Sequence, residues 1–387
     1  MKTSYDAIVL GLGGIGAGTL YRLARGSADV LGIEQFELGH IRGGSQDHSR
    51  IIRLSYHTPA YVELAKQAYG AWADLEDDGG EPLILRTGGL DLFPAGGVIP
   101  MADYTSSMDS AGIPFETLDA AQVMDRWPQF SLDTDVVSLY QERSGIAPAA
   151  KCNAAHLRMA RAHGAAIVEN APVTGLRSSG PDILVEAGRA TYTCRNLVIA
   201  AGAWTNTALA HFDLNLSLEV TREQVTYYRS RNPADYAPDR FPIWIWMDEP
   251  CFYGFPVYGE AGPKVAQDVG GRTVTAETRD FDPDPDATAR TEAFLQRVLP
   301  GILGPEIYTK TCLYTLTPDR DFVLDSLPGH PNVFVAVGAG HAFKFASVIG
   351  RILSELILDR KTESDISAFR YDRPALHIEN PVKTYMI

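Results

Sequence analysis

The chain has 387 residues, too many for one ordinary core and enough for two domains, and 45% of them are hydrophobic. Its formal net charge of −14 argues against a polyanionic partner such as nucleic acid, though not against a small anion in a locally basic pocket. Four cysteines, Cys152, Cys194, Cys251 and Cys312, show neither metal-ligand spacing nor a disulfide framework, which suits a reducing compartment.

The first unit reads strand, glycine turn, helix, strand. Tyr5 to Leu10 is an apolar strand, and Leu20, Leu23 and Ala24 stripe the helix. The second strand, Val30 to Ile33, ends at Glu34, and a basic loop runs from Arg42 to Arg50. A helix from Pro59 to about Leu75 follows, with Tyr61, Leu64, Ala65, Ala68 and Trp72 on one face. Between Leu83 and Tyr140 the pattern mixes strands (Gly89–Phe93, Ser138–Tyr140) with a helix near Met101 to Ala111. A second α/β passage has a helix near Cys152 to His163, the strand Ala166–Val168, and a buried strand from Leu197 into a small-residue turn at Trp204. From Leu216 to Thr315 the chain is strand-rich and aromatic, with antiparallel strands expected at Val225–Tyr228, Ile243–Trp246 and Cys251–Phe255. Asp280 to Asp286 reads as an acidic loop broken by Pro283 and Pro285. A buried strand at Asn332–Val337 and a helix from about Phe345 to Leu358 complete the order.

No internal repeat or low-complexity tract interrupts this order. The alternation implies one α/β domain assembled from several stretches, with a sheet domain inserted between them. The N-terminal run has no signal-peptide pattern, no apolar run reaches membrane-span length, and Tyr385-Met386-Ile387 is not the peroxisomal tripeptide, so a cytoplasmic protein is expected.

The glycine turn carries the first chemistry. Gly11 permits a tight turn, Gly13 lets backbone approach a pyrophosphate, and Gly16 allows close helix–strand packing. The helix start at Gly14 and Ile15 then offers N–H groups and a positive dipole end to phosphates. Glu34 stands where a carboxylate accepts hydrogen bonds from ribose hydroxyls. The motif alone does not separate FAD from NAD.

The remaining motifs make that choice. Arg50-Ile51-Ile52-Arg53, Tyr253-Gly254-Phe255-Pro256, Lys264, Cys312-Leu313-Tyr314-Thr315 and His341-Ala342-Phe343-Lys344-Phe345 occur in an order that resembles the monomeric sarcosine oxidase family. The wider set includes N-methyltryptophan oxidase, pipecolate oxidase and bacterial fructosyl-amino-acid oxidases. The resemblance runs over nearly the whole chain. It implies an α/β (α+β overall) fold of the D-amino-acid-oxidase kind: a Rossmann-type FAD-binding domain with an inserted, mostly antiparallel substrate domain. The corresponding boundaries are 1–82, 148–215 and 317–387 for FAD, and 83–147 and 216–316 for substrate.

The same resemblance implies the residue roles. Cys312 matches the cysteine that bonds to the flavin, against the ordinary alternative of a small buried core residue. Arg53 and Lys344 match the pair that holds a substrate carboxylate; a lysine between Phe343 and Phe345 is costly to bury without an anion. Lys264 matches the lysine at the flavin face where oxygen is reduced, and a fixed cation stabilises superoxide as it forms. At about 4 Å and an effective dielectric of about 20 that is worth about 4 kcal/mol. Arg50 lies near the ring, assisting this lysine or the covalent bond. Tyr314 and Tyr253 line the substrate cavity, and Trp246 shapes the side-chain pocket or fills the sheet core. Gln35, Gly44, Ser45, Val173, Ala201, Gly202, Trp204, Gly338, Gly340, His341 and Ala342 complete the cofactor contacts.

Three positions depart from the family pattern. Asp268 and Gln46 replace histidines, and Ala342 replaces a glycine. An inward-facing Asp268 would repel a dicarboxylate and welcome a second amine. The expected activity is oxidation of a secondary amino acid by a monomer, with O₂ as acceptor and no metal. A cyclic imino acid, a glycated amino acid or another electron acceptor are the alternatives.

Overall fold

The computed structural model describes residues 2–378 and contains two large sheets and a small one. Tyr385 to Ile387, read above for targeting, lie outside the described residues. The first sheet grows from Ser4–Leu10, which pairs in parallel with Val30–Ile33 on one side and Ala190–Ile199 on the other. Ala166–Val168 adds in parallel beyond Val30–Ile33. The two halves of Ala190–Ile199 have different neighbours. Its C-terminal half pairs in parallel with His330–Val337, while its N-terminal half joins an antiparallel ribbon of Val173–Ser179 and Asp182–Ala187.

Alternation along Ser4–Leu10 feeds two cores, as a strand's twofold period requires. Ala7 and Val9 pack into the core shared with the helices, and Ile8 and Leu10 into the core under the ribbon. Helix Gly14–Arg25 packs between helices Ala149–Ala162 and Ala346–Leu358. It meets the latter backbone to backbone, because a side chain on Gly350 would strike the Gly18 carbonyl.

The second sheet is antiparallel except at one place. Glu219–Tyr228 pairs along its length with Glu306–Leu316, and Cys251–Val257 lies between Pro263–Asp268 and Ile243–Trp246. Ile243–Trp246 then pairs in parallel with Gly89–Phe93, where antiparallel neighbours were expected. Arg50–Ile52, Gly145–Ala147 and Leu85–Arg86 form a separate small antiparallel sheet.

Two elements differ from the sequence reading. The ribbon at 173–187 was not anticipated, since its outward residues are polar and its inward face is short. The acidic loop ends sooner than expected, because Pro285 opens a helix that runs to Val298. Proline suits a helix's first position, where its missing N–H is not needed. The Asp284 side chain caps that helix by accepting from the N–H groups of Asp286 and Ala287. No described helix is long and apolar enough to cross a membrane.

Candidate active site

The C-terminal ends of Ser4–Leu10, Val30–Ile33 and Ala190–Ile199 open onto a cavity of about 310 Å³ that continues to the second sheet. Crevices at such strand ends are where open α/β sheets bind ligands. At the first end stand Gly11, Gly13, Gly14 and Ile15, with Glu34, Gln35, Val173, Ala201, Gly202 and Trp204 around them. Gly11 has φ +83, and a Cβ there would press on the Ala200 carbonyl. Gly16 stands outside the cavity lining; a side chain on it would collide with the Gly11 carbonyl, so its part is packing.

Glu34 is buried at the end of its strand. It accepts from the N–H of Leu12 at 2.9 Å and of Phe36 at 3.2 Å, with His40 at 3.4 Å. Burial opposes its ionisation, but the His40 contact and these two N–H groups outweigh it and hold the carboxyl below its ordinary range. A charged acceptor, a glycine turn and a helix start thus border one cavity, which fits the adenosine diphosphate half of FAD.

Toward the second sheet, Gly44, Ser45 and Arg50 form the middle of the lining. Ser45 Oγ accepts from the Gly14 N–H at 2.8 Å, tying the loop to the helix start. Tyr253, Asp268, Tyr314, Gly338, Gly340, His341, Ala342, Phe343 and Lys344 complete the lining, with Phe343 close against Gly14. Lys344 sits in a 3-10 turn, Ala342–Phe345, that leads directly into helix Ala346–Leu358. The Trp72 indole donates to its carbonyl at 2.8 Å, which fixes the backbone of that turn.

Arg53, Lys264 and Cys312, expected at the site, are buried and are not among the residues that line the cavity. Arg53 is 1% exposed, with Asp91 at 3.2 Å and the Tyr56 ring centroid 4.9 Å from its guanidinium carbon. Burial works against the Arg53 charge, but Asp91 more than compensates, so the guanidinium is held charged. Lys344 approaches the same Tyr56 ring, its ammonium 5.7 Å from the centroid.

Lys264 is equally buried. Its ammonium donates to Asp47 at 2.9 Å and to the Ser49 carbonyl at 2.7 Å. Burial lowers it to about 8, with Asp47 opposing that fall. Asp47 also accepts from the Tyr227 hydroxyl at 2.9 Å and lies 3.6 Å from Arg50. Burial favours its neutral form, yet the two cations prevail and hold it far below the usual carboxylate range. Cys312 rests on the strand Glu306–Leu316 opposite Glu223. Burial pushes its thiol up to about 11, with Arg50 the foremost opposing influence.

Two expectations need correction. Trp246 does not enter the cavity. Strand alternation puts Ile245 on the cavity side and Trp246 on the other, against Phe294 at 5.6 Å and beneath Arg297 at 5.1 Å. Asp268 does border the cavity, but its carboxylate is met by both terminal nitrogens of Arg320 at 3.3 Å. It is therefore half of a neutral pair rather than a lone acceptor for a second amine. Gln46 is buried and donates to the Thr311 carbonyl at 3.0 Å, beside Cys312.

Asp47, Asp91, Tyr56 and Arg320 were not foreseen as site residues. Asp91 left a trace, a charge inside the apolar run Gly89–Phe93. Asp47, Tyr56 and Arg320 left none. Among the described residues no cluster of His, Cys, Asp and Glu is arranged to hold a metal ion.

Comparison with known proteins agrees with this arrangement. The profile of the FAD dependent oxidoreductases matches residues 6–356. A monomeric sarcosine oxidase of Streptomyces avermitilis is 33% identical over 377 residues, covering 95% of this chain and 97% of that protein. The N-methyl-L-tryptophan oxidase of Escherichia coli is 30% identical over 376 residues, covering 95% and 99%. Among solved structures, NikD, described as an unusual amino acid oxidase essential for nikkomycin biosynthesis, has a TM-score of 0.86 at 26% identity, covering 98% of this chain and 99% of that one. With its Rossmann-type sheet, its glycine turn and a cavity that spans both sheets, the chain belongs to the family of FAD dependent oxidoreductases.

Proposed function

We propose that the protein oxidises secondary α-amino acids, converting the bond between the nitrogen and its neighbouring carbon to an imine, with O₂ reduced to hydrogen peroxide. The observation that carries this reading is Lys344, a buried lysine in the cavity lining with Arg53 against the same Tyr56 ring. Such a pair calls for an anion, and a carboxylate is the anion an amino acid brings. When bound, FAD supplies the acceptor for the two electrons. Arg53, steadied by Asp91, and Lys344 orient the acid group. Tyr253 and Tyr314 border the space left for the rest of the molecule.

Covalent attachment of FAD through Cys312 belongs to the proposal. Arg50 is the cation that favours its thiolate, against a burial that disfavours it. The expected division into FAD-binding and substrate segments, a monomeric state and a cytoplasmic location stand as parts of the same reading. The named relatives act on sarcosine and N-methyl-L-tryptophan, and this supports an N-alkyl amino acid over other amines.

One observation favours a second reading, a dehydrogenase that passes electrons to another acceptor. The ammonium of Lys264 is already engaged by Asp47 and Ser49, so less of its field is available to oxygen. Peroxide release across a panel of N-alkyl, cyclic and glycated amino acids tests the oxidase. Turnover with a dye but not with O₂ would replace it by the dehydrogenase.

A further inference from the structure

Of the three basic side chains here, Lys344 and its neighbours Arg53 and Arg320, the two arginines are each paired with a carboxylate. Arg53 has Asp91 at 3.2 Å, and Arg320 has Asp268 at 3.3 Å. Lys344 is 7% exposed, yet its ammonium makes no hydrogen bond or ion pair to any described residue. The ring centroids of Tyr56 and Phe345 lie 5.7 and 5.9 Å from it. Each arginine thus carries its own carboxylate, and the lysine has none.

We propose that Lys344 rests as the neutral amine in the substrate-free enzyme and takes the proton that an amino-acid zwitterion carries on its nitrogen. This rests on the reading of the site as one for amino-acid oxidation and adds a step to it. The N–H bond of the substrate ammonium breaks and its electron pair stays on nitrogen. A new N–H bond forms on the lone pair of Lys344 Nζ, and no proton is exchanged with solvent. One side chain then frees the amine for oxidation and becomes the cation that holds the carboxylate. The two tasks are compatible because nitrogen and carboxylate of an α-amino acid are neighbours, so a group reaching one reaches the other.

The surroundings favour this resting state. Burial first, then Arg53 and Arg320, bring Lys344 down to about 7 against the opposing pull of Asp268 and Asp91. His341, on the same turn, is itself held well below its usual value, first of all by burial, so it adds no charge. Tyr314 and Cys251, on the facing strands, are pushed up by burial and stay protonated. An arriving carboxylate supplies the missing anion and reverses the balance.

Propanoate, which has the acid group but no ammonium, separates the possibilities. It is added to the FAD-loaded enzyme in weakly buffered solution. Flavin absorbance reports binding, and a pH indicator reports protons. At pH 8 the wild-type enzyme should take up most of one proton per site, and its affinity should fall with rising pH, approaching tenfold per pH unit above pH 8. Lys344→Arg, which keeps a permanent cation, should bind propanoate with no uptake and a flat pH profile. Binding without uptake in the wild type overturns the inference and leaves the carboxylate site intact. Uptake that persists in Lys344→Arg also overturns it, by placing the proton elsewhere. No perturbation of the flavin by propanoate overturns the inference together with the reading of the site on which it rests.

Discussion

The Lys264 ammonium lies 2.9 Å from the Asp47 carboxylate, both groups being almost wholly buried. Asp47 reaches it from a backbone position with φ +86, a conformation that residues other than glycine adopt at a cost of about 1–3 kcal/mol. That strain persists because the carboxylate satisfies Lys264, Tyr227 and Arg50 at once. Lys264 is thus a tethered cation rather than a free one.

Replacing Asp47 by Asn strands the lysine's charge in the interior. Removing one partner of a buried pair typically costs about 3–5 kcal/mol, and a denaturant titration should show a loss of that size. The double variant Asp47→Asn with Lys264→Met should recover a large part of it. A single-variant loss below about 1 kcal/mol would mean that the pair contributes little.

The same pair sets an acid limit. The folded pKa of Asp47 is far below its ordinary value of 3.8, so the unfolded chain binds this proton first as pH falls. Its stabilising effect is complete above about pH 4 and is lost progressively below that. Stability measured from pH 6 down to 3 should fall less steeply in Asp47→Asn than in the wild type. Equal slopes would show that other groups govern acid unfolding.

Asp91 should act on substrate through Arg53. The Asp91→Asn variant keeps an acceptor but loses the charge that steadies the guanidinium, worth about 1.5–3 kcal/mol. The expected outcome is a rise of about tenfold in KM with kcat changed much less. A fall in kcat at unchanged KM would assign Asp91 to the chemical step instead.

Trp246 should matter for stability alone. Its Ala variant removes a large buried side chain beside Phe294 and should cost about 3–5 kcal/mol. Relative activity toward small and large amino acids should stay as in the wild type, because Ile245 and not Trp246 faces the cavity. A changed order of substrates would place the indole in the pocket after all.

The first strand, glycine turn and helix were legible because periodicity and turn chemistry agree there within about 30 residues. The ends of the second sheet were less so. Ile243–Trp246 is apolar on both faces, so its pattern names a buried strand but neither its partner's direction nor that Ile245, and not an indole, meets the cavity. The helix Pro285–Val298 was hidden by reading Pro285 as a breaker when it is a starter. The Asp47–Lys264 pair joins positions 217 residues apart, and no local pattern reports such a contact. Arg320 stands between Asp319 and Asp321 in a charged loop, where nothing marks it as the residue that turns inward.

Flavin reduction without oxygen tests the central claim most directly. The yellow enzyme would be mixed anaerobically with an N-methyl amino acid and, separately, with its methyl ester. Recognition of the acid group by Arg53 and Lys344 predicts rapid bleaching of the flavin by the acid and little by the ester. Equal bleaching by both, or by neither, would contradict it.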